Sequence, residues 1–126
     1  MRSAFLSAGG DPFIASLVIK LWRERWYDEI DKLFICYNNH SQVPENVVSE
    51  FLSRLLGDKK VSIIYHPSGI GNGRPITEMT SISKAYYVLL LEDDFLIFDS
   101  GIVDEYFKKI ESGETDIVGS ARYTHG

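Results

Sequence analysis

With 126 residues, 44% hydrophobic and 25% charged, the chain has apolar content for one core and too little length for two, so one domain over residues 1–126 is expected. A formal net charge of -5 and a pI near 5.1 argue against a nucleic-acid groove or an anionic membrane surface as the main partner. No apolar run approaches the roughly 18 residues needed to cross a bilayer, and the lone Cys36 excludes an internal disulfide, so a reducing, cytoplasmic setting without a transmembrane segment is expected.

Residues 3–7 read as a short first strand, followed by Ala8-Gly9-Gly10-Asp11-Pro12. The glycines permit a tight turn, while Asp11 and Pro12 suit an N-cap and first helical position. Ile14, Leu17, Val18, Leu21, Trp22, Trp26 and Ile30 recur at helical spacing, which predicts a helix to about Glu29. A second strand over 32–37 carries Cys36 as a buried thiol and ends at Asn38-Asn39-His40. Pro44 opens a second helix with two apolar rows, Val47-Phe51-Leu55 and Val48-Leu52-Leu56, stopped by Gly57.

A third strand over 61–65 runs into a glycine-rich loop from Pro67 to Pro75. Its glycines at 69, 71 and 73 allow close approach of backbone to a ligand, and Pro75 starts a helix whose free N–H groups attract an anion beside Arg74. His40 and His66 are read as solvated or structural. After a helix through Ile76, Met79 and Ile82 comes Val88-Leu89-Leu90-Leu91, headed by Tyr86 and Tyr87 and ending in Glu92-Asp93-Asp94. This run reads as a strand buried on both faces of a parallel sheet. A last helix over 100–112, capped by Asp99 or Ser100 and stopped by Gly113, precedes a final strand over 116–120 and a short tail containing His125.

Alternating strands and helices predict an α/β fold with a mostly parallel open sheet and helices on both faces. Ligands of such sheets bind at the carboxyl edge. There the loops after the first, second and fourth strands bring residues 7–11, Asn38 and the acids 92–94 into one crevice. Three adjacent carboxylates repel one another, and a hard divalent cation relieves that repulsion while bridging to phosphate oxygens.

The order of elements, the glycine and arginine loop, and the strand ending Leu91-Glu92-Asp93-Asp94 resemble the nucleotide-binding half of a glycosyltransferase of the GT-A fold, in the family-2-like group. The likeness runs from Ser3 to Arg122, with Glu92-Asp93-Asp94 in the place of the DxD motif. The first loop departs from the family in lacking its proline and asparagine. The resemblance implies a Rossmann-like GT-A fold, truncated, with the acceptor-binding half largely absent: either a fragment, or a minimal protein that binds the donor and relies on a partner or an oligomer. It implies a UDP- or GDP-type nucleoside-diphosphate sugar as donor and a sugar transfer to an unidentified acceptor. It places Mn2+ or Mg2+ on Asp94, with Asp93 beside the metal or ribose and Glu92 in support. Ser7, Ala8, Gly9 and Asp11 would border the base and ribose, Asn38 would contact the base, and Arg74 would stand near it. The catalytic base of such enzymes lies beyond the final strand.

Two alternatives stand beside this reading. One is a nucleotide-sugar-binding module without catalysis. The other is a sugar-phosphate nucleotidyltransferase, whose signature residues 71–77 resemble but which should follow the first strand rather than the third. A response-regulator receiver, whose opening strand also ends in acids, requires roughly a hundred residues beyond that strand and is excluded by length.

Overall fold

The computed structural model describes residues 1–68, 74–83, 85, 87–92 and 96–114. Four strands, β1 (Arg2–Ala8), β2 (Lys32–Asn38), β3 (Val61–His66) and β4 (Tyr87–Glu92), form one sheet in the order β3-β2-β1-β4, with every pair parallel. The helices are α1 (Pro12–Leu21), α2 (Glu45–Ser53), α3 (Arg74–Ile82) and α4 (Ile102–Glu111). The fold is thus α/β with an all-parallel sheet, as expected. The expected final strand over 116–120, and His125, lie outside the described residues.

Pleating sends alternate side chains to opposite faces, and the two faces build two cores. Ala4, Leu6 and Ala8 of β1 with Leu33, Ile35 and Tyr37 of β2 join Val18 and Ile19 of α1, Val48 and Phe51 of α2, and Val103 and Phe107 of α4 in the main core. On the other face Phe5, Phe34 and Cys36 meet Met79 of α3. Phe5 and Phe34 cross edge to face, with ring centroids 5.6 Å apart. Burial, and secondarily Glu78, push the Cys36 thiol up to about 11, so with no cation beside it the thiol keeps its proton at neutral pH.

Corrections are needed in the first two helices, at β4 and at the start of α4. The first helix reaches Glu29 but not as one regular α-helix: after Leu21 a π-helical turn (Trp22–Trp26) and a short 3-10 turn (Tyr27–Glu29) follow. Its buried side is set by Ala15, Val18, Ile19 and Trp22, which leaves Ile14 exposed. On α2 Val48 and Phe51 are buried and Leu55 follows them in the turn after the helix, while Val47 and Leu56 face outward. The buried side thus draws Val48 from one expected apolar row and Phe51 and Leu55 from the other, with Leu52 packed partly buried against the same core.

Strand β4 is not buried on both faces. Leu91 is buried in the main core, whereas Leu90 is 59% exposed. α3 packs chiefly across β1 and β2, so on this face Val88 of β4 joins the second core while Leu90 stays exposed. The start of α4 also departs from expectation. Gly101, with φ 90°, occupies the cap position, and neither Asp99 nor Ser100 caps the helix. The carboxylate of Glu29 accepts from the N–H groups of Gly101 and Asp104 instead, both at 2.9 Å. A side chain from a remote segment here does the work of a local cap and places its negative charge at the positive end of the helix.

Both the first and the last turn of α4 are fastened to β1. The Arg2 guanidinium donates to Asp104 at 2.5 Å and to both carboxylate oxygens of Glu111, at 2.7 and 3.2 Å. These hydrogen bonds hold the Asp104 and Glu111 carboxyls below their ordinary values. The folded state therefore binds fewer protons than the unfolded chain, and this stabilisation is complete above the usual carboxylate range and lost as pH falls through the depressed folded values. Between about pH 5 and pH 3, the melting temperature of the native chain should fall more steeply than that of Arg2→Met. Parallel curves in thermal melts across that range would show that the network adds nothing.

Candidate functional site at the carboxyl edge

The strand order makes β1 the point where the sheet reverses direction. From β1 the chain proceeds through β2 to β3 on one side, then crosses to β4 on the other. In open α/β sheets the loops leaving such a point diverge and open a crevice beyond the carboxyl ends of the strands. Ser7 is paired in register with Glu92 of β4 and with Cys36 of β2, and Ala8 with Tyr37. The carboxyl ends of these three strands are thus neighbours in the sheet. Glu92 is exposed and remains within the ladder, one residue later than the strand end read from sequence.

The first loop is held against the end of β2. A Cβ placed on Gly9 would overlap the backbone carbonyl oxygen of Asn38 and come within 2.8 Å of the His40 ring, so only glycine fits at this approach. The buried Tyr37 hydroxyl donates to the Gly10 carbonyl at 2.8 Å. Asp11 accepts from the Phe13 N–H at 2.9 Å and caps α1, with Pro12 at the first helical position as expected. Its carboxylate is thereby oriented by the helix end and remains exposed to solvent.

Beyond β2 the chain turns sharply. Asn38 and Asn39 are both buried, and the His40 Nδ1 lies 3.0 Å from the Asn38 carbonyl, which places the ring proton on that nitrogen. The Asn39 amide closes the next turn, donating to the Val43 carbonyl and accepting from the Val43 N–H, both at 2.9 Å. This turn holds Gln42 at φ 55°, a left-handed conformation. A cleft of about 320 Å³ opens at the ends of β2 and β3 between Asn39, Gln42, Val43, Tyr65 and Ser68. The Tyr65 hydroxyl has no hydrogen-bond partner among the described residues. Sequence reasoning placed a ligand-facing role on Asn38 and missed Asn39, Gln42 and Tyr65; the polar run after the second strand was the available signal.

Arg74 is exposed at the first residue of α3. The glycine-rich stretch 69–73 lies outside the described residues, as do Asp93 and Asp94. Ser7, Ala8, Gly9 and Asn38 are brought together at the ends of β1 and β2, with Glu92 beside Ser7.

A second cleft of about 330 Å³ lies between α1 and α2, lined by Ser16, Lys20, Arg23, Phe51, Arg54 and Leu55. Its helical residues come from the later turns of both helices, which run back toward the amino edge of the sheet. Arg23 is paired with Asp58 and Arg54 with Glu50, so two of its cations are already neutralised. Burial alone would raise the Asp58 carboxyl, but hydrogen bonds from the Lys60 amide, the Tyr27 hydroxyl and Arg23 outweigh it and hold it low. This cleft is part of the structural framework.

No protein-family model matches the chain, and no curated protein matches it. Among the described residues no helix is long and apolar enough to cross a membrane.

Proposed function

We propose that the carboxyl edge of this sheet is the donor site of a glycosyltransferase of the GT-A type, binding a nucleoside-diphosphate sugar of the UDP or GDP class for transfer to an acceptor. The observation that carries the reading is the adjacency of Ser7 and Glu92 across the reversal point of the sheet. It sets Glu92, the first residue of the acidic run, beside Ser7, which leads into the loop 8–11 that the resemblance assigns to the base and ribose.

Glu92 offers an exposed carboxylate at the end of β4, and oxygen ligands of this type suit Mn2+ or Mg2+. Asp93 and Asp94 continue that run and are the proposed metal ligands. The cation, when bound, neutralises charge on the leaving nucleoside diphosphate. The protein's own contribution begins with the first loop. Gly9 lets the backbone of that loop lie against Asn38, which shapes a wall for the base. Asn38, buried at the end of β2, is the proposed contact for the base, and the Asn39 amide fixes the turn beside it through its two hydrogen bonds to Val43. Arg74 contributes a fixed positive charge at the mouth of α3.

Calorimetric titration with UDP, GDP and a nucleoside monophosphate, each with and without manganese, tests the proposal. One diphosphate should bind in a manganese-dependent manner, the monophosphate should bind at least about tenfold more weakly, and Asp94→Ala should remove the manganese dependence. Unchanged manganese dependence in that variant, or no binding of any nucleotide, would overturn it.

A further inference from the structure

The sheet face opposite the main core carries a second group of metal-ligating side chains, separate from the acidic run. Cys36 near the end of β2, His66 at the last residue of β3 and Glu78 in the middle of α3 place a thiol sulfur, an imidazole nitrogen and a carboxylate oxygen within 4.8 Å of one another. His66 Nε2 and Glu78 Oε2 are 2.8 Å apart. The arrangement follows from the register. Cys36 pairs with Ile64 and Asn38 with His66, so Cys36 and His66 point to the same face two residues apart along neighbouring strands. Glu78 comes down on them one residue before Met79, the side chain that anchors α3 to this face.

We propose that Cys36 Sγ, His66 Nε2 and the Glu78 carboxylate form a zinc-type divalent metal site, with water as fourth ligand, that fastens α3 to the sheet. Three observations support the assignment. The donor set combines thiolate, imidazole and carboxylate, a mixture that selects Zn2+ over Mg2+ or Ca2+. Bond lengths of about 2.0–2.3 Å in a tetrahedral site separate ligand atoms by about 3.3–3.7 Å, so small side-chain rotations, opening the His66–Glu78 pair and closing on the sulfur, reach the required geometry. The burial is graded: Cys36 is fully enclosed, while His66 and Glu78 are half-buried, which leaves a route for the ion from the solvent side.

The site also answers a structural need. Among its described residues α3 buries only Pro75 and Met79, whereas α1 buries four residues. A helix with so small an apolar anchor gains most from a bond between its middle and two strands, because metal-binding free energy adds directly to the stability of the folded state. The ligands are distinct from the oxygen-rich acids proposed for the diphosphate, so the two sites differ in preferred metal and can be loaded separately.

Titration of the reduced chain with Co2+ tests this directly. Cys36 is the sole cysteine, so a thiolate-to-cobalt charge-transfer band in the near ultraviolet can arise nowhere else. One equivalent of Co2+ should produce that band, Zn2+ should bleach it, and Cys36→Ser should abolish it. Glu78→Gln changes a half-buried residue at the helix surface and should fold, yet weaken Co2+ binding by about tenfold or more. Zn2+ should also raise the melting temperature of the native chain and leave that of Glu78→Gln nearly unchanged. Absence of the band in the native chain, or a band and an affinity that Glu78→Gln and His66→Gln leave unaltered, would overturn the proposal.

Discussion

Trp22→Ala should destabilise the fold by about 3–5 kcal/mol, the range for deleting a fully enclosed aromatic side chain. Trp22 is 0% exposed and stands at the junction where α1 gives way to the π-helical turn. Its ring lies 4.8 Å from that of Tyr27 and 6.4 Å from that of Trp26, so one indole organises the whole connection into β2. Truncation would leave a cavity under a segment whose backbone is already irregular, and a protein of this size is stable by only about 5–15 kcal/mol in total. The loss is therefore a large fraction of what holds the chain folded. The Trp22 Nε1 hydrogen is buried without a partner among the described residues, so part of the burial gain is offset by desolvation of that group. Trp22→Phe removes the orphan donor along with some volume, and its cost should fall clearly below that of the alanine variant. Urea unfolding measures both; an alanine variant within about 1 kcal/mol of the native chain would mean that the indole is not part of the core.

The contrast between Trp22 and its neighbours shows what the sequence could and could not convey. Apolar spacing identified Val18, Trp22, Trp26 and Ile30 as one buried face, but a fixed period of 3.6 carries no sign of a π-turn, and the same spacing placed the exposed Ile14 among the core residues. Asp11 and Pro12 announced the start of α1 because the capping interaction is local: the acceptor and the N–H it serves are two residues apart. The start of α4 was illegible for the opposite reason. Its cap is Glu29, 72 residues before the Gly101 N–H that it accepts from, and Gly101 itself takes the position assigned to Asp99 or Ser100.

Strand order explains the remaining differences. The leucine run before the acids identified β4 as a strand, yet a continuous apolar run does not reveal whether one or both faces are covered. The position of α3, chiefly over β1 and β2, goes with Leu90 being exposed. In the same way, Cys36 and His66 are 30 positions apart in sequence and become neighbours through the β2–β3 register. Glu78 joins them by the descent of α3, which no local pattern specifies. The carboxyl-edge cluster was more legible, because turn chemistry alone marks where each strand stops. Glycines after β1, asparagines after β2 and acids at the end of β4 each bear that signature, and the parallel arrangement then requires all three to share an edge.

Gly9→Ala should damage that edge more than any other single-atom addition described in the structure. The new methyl would meet the Asn38 carbonyl oxygen, a backbone atom that already accepts from the His40 N–H at 2.8 Å and lies 3.0 Å from the ring Nδ1. A flexible side chain could swing aside; a carbonyl at the end of a central strand cannot, so either the loop 8–11 or the turn after β2 must shift. Overpacking of this kind costs about 1–3 kcal/mol. Gly57→Ala provides the comparison. It introduces the same methyl at φ 91° with nothing within 4 Å, so its cost is backbone strain alone, about 1–2 kcal/mol, at the opposite end of the sheet. The two variants should thus lose similar stability, and they separate in function. If the carboxyl edge binds a nucleoside diphosphate, Gly9→Ala should weaken that binding by at least about tenfold at a temperature where both variants remain folded, and Gly57→Ala should bind as the native chain does. Equal affinities in the two variants would place the ligand elsewhere. A selective loss in Gly9→Ala would assign the nucleotide to the wall formed by Gly9 and Asn38, because the substitution changes neither charge nor any polar side chain and acts only through the shape of that edge.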